Sequence, residues 1–225
     1  MLGNPIYTIT PFSLLDYPEK SACILWYVGC NMRCLYCYNP EIVLGKGTMT
    51  FAEIISFLHK RRGLLDAVVF SGGECLIHKN ILDQIKVVKA LGFLVKIDTN
   101  GSNPDVLASL VQEKQTDYVA LDFKAIENNF SDITKSNLFK QFERSLTILI
   151  ENKVKFEIRT TYHSKLISIE ELDEMISFLN EKQYIGNYYI QNFRNASKTI
   201  SKLPYSMPLT KEKIANSATI KVVIR

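Results

Sequence analysis

The chain has 225 residues, of which 47% are hydrophobic and 22% charged, with a formal net charge of +4. This length is enough for one large domain with a full core, and the charge is too small to argue for nucleic acid as a partner. Its five cysteines, an odd number with three crowded on one short loop, do not form the pattern of a disulfide framework.

The opening residues Met1-Leu2-Gly3-Asn4-Pro5 lack the charged and apolar regions of a signal peptide. No apolar run approaches the ~20 residues needed to cross a bilayer. The expectation is a cytoplasmic protein with no membrane partner, in a compartment where thiols stay reduced.

Apolar, β-rich runs alternate with helical patterns along the chain. The first run, 21–28, leads directly into the cysteine loop 30–37. A helix is predicted over 51–62, opened by a capping box of Thr50 with Glu53 and stopped before Gly63. A strand over 67–71 ends in Ser71-Gly72-Gly73-Glu74. A helix over 80–91 then stops at Gly92. A strand over 93–97 runs into Asp98-Thr99-Asn100-Gly101, and Pro104 opens a helix over 104–113. The strand 118–123 carries Asp122-Phe123-Lys124, and the helix 138–151 follows it. The strand 155–161 carries Arg159. The helix 169–181 opens with a second box, Ser168 with Glu171, and the strand 188–192 ends near Gln191. Residues 196–208 read as a surface loop and 219–224 as one further strand.

The six main runs are apolar almost without interruption, as strands covered on both faces are. Strand–helix repeats imply right-handed crossovers and a parallel sheet. Six strands are too few for a closed eight-stranded barrel. The expected fold is therefore α/β, an open partial (β/α)6 barrel. It would be a single domain over 1–225, with a core from about 20 to 194 and a C-terminal extension over 195–225. In almost every strand the polar residues fall at the C-terminal end, the rim where parallel barrels keep their active sites.

Cys30, Cys34 and Cys37 stand on Cys30-Asn31-Met32-Arg33-Cys34-Leu35-Tyr36-Cys37. Three thiolates so spaced can hold three irons of a cubane cluster and leave the fourth open. The competing reading is zinc, which in a structural site takes four ligands, usually as two pairs. Here there is one triplet, and Cys23, seven residues away in a strand, is more often a small buried residue. Gly72 and Gly73 would let a ligand approach the backbone closely, and with Glu74 they suit an ammonium group. Asp98, Thr99 and Asn100 suit ribose hydroxyls, although Asn-Gly is by default a turn. Asp122 and Lys124 share one face of a strand, which marks either a site or an internal salt bridge. Arg159 can clamp a carboxylate, and the aromatic Tyr36 can meet an adenine. An open iron, an ammonium, a carboxylate, a ribose and an adenine together describe S-adenosylmethionine.

With these residues assembled, the chain resembles the radical S-adenosylmethionine (radical SAM) enzymes. The words Leu14-Leu15-Asp16-Tyr17-Pro18, Gly29-Cys30-Asn31, Tyr36-Cys37-Tyr38-Asn39-Pro40 and Phe70-Ser71-Gly72-Gly73-Glu74 carry the likeness. So do Lys96-Ile97-Asp98-Thr99-Asn100-Gly101 and Leu121-Asp122-Phe123-Lys124-Ala125. Within the superfamily they resemble the anaerobic ribonucleoside-triphosphate reductase activating proteins, a branch of the glycyl-radical-enzyme activases. The resemblance implies a [4Fe-4S] cluster on Cys30, Cys34 and Cys37. It implies S-adenosylmethionine against Tyr36, Gly72, Gly73, Glu74, Asp98, Thr99, Asn100, Asp122, Lys124, Arg159 and Gln191. A monovalent cation near the methionine carboxylate is also implied, at Asp98, Thr99 and Asp122. The partners implied are a glycyl-radical enzyme, with the anaerobic ribonucleotide reductase expected, and a low-potential electron donor such as flavodoxin or ferredoxin.

The implied chemistry is reductive cleavage of S-adenosylmethionine and removal of hydrogen from a glycine Cα of the partner. No side-chain acid or base is required. Two positions depart from the pattern. Tyr38 stands where a histidine is common, and Cys75, a free thiol read as structural, stands where proline is usual. Twelve residues without a cysteine separate Cys37 from Thr50, so no auxiliary cluster fits there. Two other readings stay open: a radical SAM enzyme acting on a small molecule or ribosomal peptide, and a binding module holding zinc or an electron-transfer cluster.

Overall fold

The computed structural model describes residues 4–211 and 219–225. They fall into two compact units, each assembled from separate stretches of chain. The first takes residues 4–31, 39–99 and 103–119, and the second takes 32–38, 100–102 and 120 onward.

In the first unit, β1 (Ile6–Ser13) pairs antiparallel with β2 (Ala22–Tyr27). β2 pairs parallel with β3 (Ala67–Gly72), and β3 with β4 (Leu94–Thr99). The connecting helices are α1 (Pro40–Leu44), α2 (Phe51–His59), α3 (Ile81–Ala90) and α4 (Pro104–Gln112). The box at Thr50 forms as expected: Glu53 N–H donates to the Thr50 hydroxyl, and Thr50 N–H donates to the Glu53 carboxylate. β2 and β3 are buried on both faces, which explains their unbroken apolar sequences. Tyr17, Ala22, Ile24, Ala67 and Val69 form one core cluster, with Trp26, Leu94 and Tyr118 packed on it.

β5 (Tyr118–Asp122) begins in the first unit and finishes in the second. In the second unit β6 (Phe156–Tyr162) pairs parallel with β7 (Gly186–Asn192), and β7 with β8 (Ile220–Ile224). α5 (Glu127–Thr134), α6 (Phe139–Glu151) and α7 (Ile169–Glu181) complete the unit. Its core is aromatic: Phe123 stacks on Phe142 at 4.7 Å, and Phe139 and Phe178 close around them. The box of Ser168 with Glu171 opens α7 as predicted.

β1 and β8 are edge strands, so the sheet is not closed. All six expected strands are present, with ends shifted by a residue or two, and the strand expected near 219–224 is β8. β1 was not anticipated. Only Ile6 among its residues is buried, the register slips twice, and Pro11 cannot donate to a ladder. α1 and α5 were likewise missed, being too short to show a helical period. Among the described residues no helix is long and apolar enough to cross a membrane.

Candidate active site

Parallel pairing puts the C-terminal ends of β2 and β3 side by side, with Tyr27 opposite Gly72. From Tyr27 the chain continues through Val28 and Gly29 to Cys30, while β3 continues through Gly73 to Glu74. The two paths stay bonded: Gly73 N–H donates to Tyr27 O and Glu74 N–H to Gly29 O, each at 2.9 Å. The contact leaves no room for side chains. A Cβ on Gly72, whose φ is +122°, would meet Tyr27 O at 2.2 Å. One on Gly73 would meet Gly29 O at 1.9 Å and Cys30 Cβ at 3.2 Å. The paired glycines therefore let the backbone of the first cysteine lie flush on the strand end.

The neighbouring carboxylates of this unit are engaged. Glu74 is 1% exposed, and its Oε1 accepts from Leu76 N–H at 3.1 Å and from the Thr99 hydroxyl at 2.8 Å. It thereby caps the 3-10 turn Cys75–Ile77. Asp98 accepts from the Ser71 hydroxyl at 3.0 Å and from the Lys96 ammonium at 2.7 Å. Cys75 is fully buried and bonds Phe70 O and Asp98 O, each at 3.6 Å. Burial, then Glu74 and Asp98, pushes its thiol well above the ordinary range, which suits a structural role.

The second unit holds the rest of the cysteine loop by main-chain bonds. Arg33 N–H and Leu35 N–H donate to Thr134 O and Ile133 O at the end of α5, while Ile200 N–H and Ser201 N–H donate to Cys37 O and Leu35 O. Tyr38 adds a further tie. Its hydroxyl accepts from Arg194 N–H at 2.8 Å, and its ring stacks on Phe193. Cys34 is buried and Cys37 half-buried. Tyr36 is 3% exposed and its hydroxyl reaches Lys124 O at 3.4 Å, so the ring packs inside the unit and little of it is open to an adenine.

Asp122, the last residue of β5, binds two cations: Lys124 Nζ at 3.0 Å on one oxygen and Nε of Arg159, in the middle of β6, at 3.0 Å on the other. Burial opposes the charge on Lys124, but Asp122, with Tyr36 and Cys34 behind it, outweighs that cost and holds the ammonium well above its ordinary range. Burial pushes the Cys34 thiol up, and Lys124 pulls the other way. Two cations thus share one carboxylate beside the loop. Asn100 forms a turn in which its side-chain oxygen accepts from Ser102 N–H at 2.9 Å. Gly101, at φ +73°, passes so close to Leu121 and Phe142 that a Cβ there would clash. Gln191 stands opposite Thr161 near the end of β7.

These residues fit an iron–sulfur cluster. Among the described residues no three His, Cys, Asp or Glu side chains converge as ligands of one ion would. A cubane makes no such demand, because each thiolate binds its own iron. The donor set is three thiols on one loop, with glycines clearing the first and a cation facing the second. Reading the sequence missed Ser71, Lys96 and the 193–201 segment. Lys96 left a signal, a charge inside an otherwise apolar strand, whereas the segment touches the loop mostly through its backbone, the Phe193 ring on Tyr38 apart.

The model of the radical SAM superfamily matches residues 24–183 of the chain. A Methanocaldococcus jannaschii protein named as a glycyl-radical enzyme activating enzyme is 33% identical, over 96% of this chain and 94% of its own. The pyruvate formate-lyase-activating enzyme of Clostridium pasteurianum is 28% identical, over 91% of this chain and 83% of its own. Among solved structures, Streptococcus suis SuiB aligns with a TM-score of 0.67 at 14% identity, over 88% of this chain and 47% of its own. This chain thus spans about half of that protein. QueE from Escherichia coli aligns with a TM-score of 0.55 at 18% identity, over 85% of both chains. SuiB and QueE share the fold. The chain belongs to the radical SAM superfamily and, within it, to the glycyl-radical enzyme activating enzymes: an α/β enzyme with an open sheet, whose cofactors are a [4Fe-4S] cluster and S-adenosylmethionine.

Proposed function

We propose that the protein cleaves S-adenosylmethionine reductively at a cluster on Cys30, Cys34 and Cys37 and installs a glycyl radical on the anaerobic ribonucleoside-triphosphate reductase. The observation that carries the site is the seating of Gly29-Cys30 on Gly73, which sets the first cluster ligand against the Gly-Gly-Glu strand end. When bound, the cluster and its nucleoside supply one-electron chemistry that ends in removal of a hydrogen atom from a glycine Cα. The protein's own part is to bind, orient and shield. Gly72, Gly73 and Glu74 receive the amino group of the methionine moiety. Lys124 and Arg159, gathered on Asp122, receive its carboxylate. Asn100, beside Asp98 and Thr99, meets the ribose, and Gln191 lies on the same rim of its unit. Tyr36 supports the loop from within. A flavodoxin or ferredoxin supplies the electron.

The motif words around the cysteines and at 96–104 support the reductase as partner. The likeness to a pyruvate formate-lyase-activating enzyme favours a second reading, in which the partner is a pyruvate formate-lyase. Anaerobic incubation of the reconstituted enzyme with dithionite, S-adenosylmethionine and each candidate separates them. The reductase is expected to acquire a glycine-centred doublet in electron paramagnetic resonance, and Cys34→Ala is expected to abolish both the doublet and 5′-deoxyadenosine. A doublet on the lyase alone overturns the choice of partner, and 5′-deoxyadenosine from Cys34→Ala overturns the cluster assignment.

A further inference from the structure

Lys96 stands in the middle of β4, opposite Val69 of β3, and is 2% exposed. A lysine so buried is rare without a partner. Its partner lies two residues along, on the same face of the strand: Asp98 Oδ1, at 2.7 Å. The other oxygen, Oδ2, accepts from the Ser71 hydroxyl at 3.0 Å. Next along the chain, the Thr99 hydroxyl donates its proton to Glu74. The carboxylate that the resemblance assigns in this unit to a monovalent cation therefore carries its countercharge already. The carboxylate already holds a cation at hydrogen-bond distance on one oxygen and a hydroxyl on the other. A second positive charge would have to displace a buried ammonium that has no other acceptor within the strand.

We propose that the Lys96 ammonium is the built-in counter-ion of Asp98, so that this enzyme takes no monovalent metal ion there and is indifferent to sodium and potassium. The tether keeps the ammonium beside the carboxylate. The carboxylate is neutralised and held in one orientation whatever salt surrounds the protein. The proposal rests on reading Asp98 as part of the cofactor site only for its consequence for S-adenosylmethionine. The pairing itself can be tested without that ligand.

The test uses the holoenzyme with its cluster, in matched buffers of choline, sodium or potassium chloride at equal ionic strength. Thermal melts without S-adenosylmethionine are expected to coincide in the three salts for the wild type. For Lys96→Met, which keeps the length and removes the charge, the melts are expected to rise in sodium or potassium, as an ion enters the vacated position. Calorimetric titration with S-adenosylmethionine is expected to give wild-type dissociation constants within about twofold across the salts. For Lys96→Met binding should be at least tenfold weaker in choline and largely restored by one of the metals. A wild-type melt or affinity that improves fivefold or by several degrees in sodium or potassium overturns the proposal, and this arm stands even where Lys96→Met does not fold. Salt-indifferent melts with no binding of S-adenosylmethionine in any buffer would leave the counter-ion intact and sink the cofactor reading instead.

Discussion

Substituting Gly73 by alanine places a methyl group 1.9 Å from Gly29 O, whereas real Cβ atoms essentially never come within 3.0 Å of such an atom. The obstruction is main chain, so no side-chain rotation relieves it, and the strand ends must part by roughly 1 Å. That parting strains two backbone hydrogen bonds, Gly73 N–H to Tyr27 O and Glu74 N–H to Gly29 O. Overpacking of this kind costs about 1–3 kcal/mol, and each weakened bond adds up to ~1 kcal/mol. A loss of about 3 kcal/mol is expected, which lowers the melting temperature of a chain this size by roughly 6–12 °C. Cys30 Cβ, 3.2 Å from the new methyl, moves with Gly29, so less iron should be retained after anaerobic reconstitution. The assay is a thermal melt of the cluster-free protein together with iron and sulfide analysis of the reconstituted one. A variant that melts within about 2 °C of the wild type and carries a full complement of iron would refute the claim that the first ligand rests on this glycine.

Alkaline pH should weaken the fold through Cys23. Burial pushes that thiol from its ordinary 9.0 up to about 12, against smaller pulls from its own backbone and Arg61. The folded state thus holds the proton more tightly than the unfolded chain. The resulting stabilisation is complete below the unfolded value and falls by ~1.4 kcal/mol per pH unit as pH climbs toward the folded one. Urea midpoints of the wild type and Cys23→Ala, compared at pH 8 and pH 10.5, should show the wild type's advantage shrinking, and a constant gap would contradict this. Tyr38→Phe removes the acceptor for Arg194 N–H and keeps the ring against Phe193. It should cost about 0.5–1.5 kcal/mol in a thermal melt and leave the iron content unchanged. Loss of iron would mean that the hydroxyl acts on the cluster and not only on the fold.

The parallel strands and their helices were legible because burial on both faces leaves unbroken apolar runs, and because two capping boxes mark helix starts. β1 was not legible, since an edge strand with one buried residue and a proline carries no pattern to read. At the site, the cysteine spacing and the Gly-Gly-Glu turn declared themselves through residue types that ordinary loops do not need together. The pairing of Asp98 with Lys96 was half visible, as a lysine among apolar neighbours, but its partner depends on strand geometry. Tyr36 shows the opposite limit. Its position beside a ligand cysteine is plain in the sequence, while the direction of its ring, inward to Lys124 O, is a matter of packing that no motif encodes.

The clasp on the cysteine loop is built from chain made much later. Tyr38 and Arg194 lie 156 residues apart, and the donors at Ile200 and Ser201 come later still. During synthesis the loop therefore emerges long before Arg194, Ile200 and Ser201 can close over it. Until then the loop that carries Cys34 and Cys37 lacks its last ties. A chain stopped short of Ser201 therefore cannot complete the clasp, however well its cysteine motif is preserved.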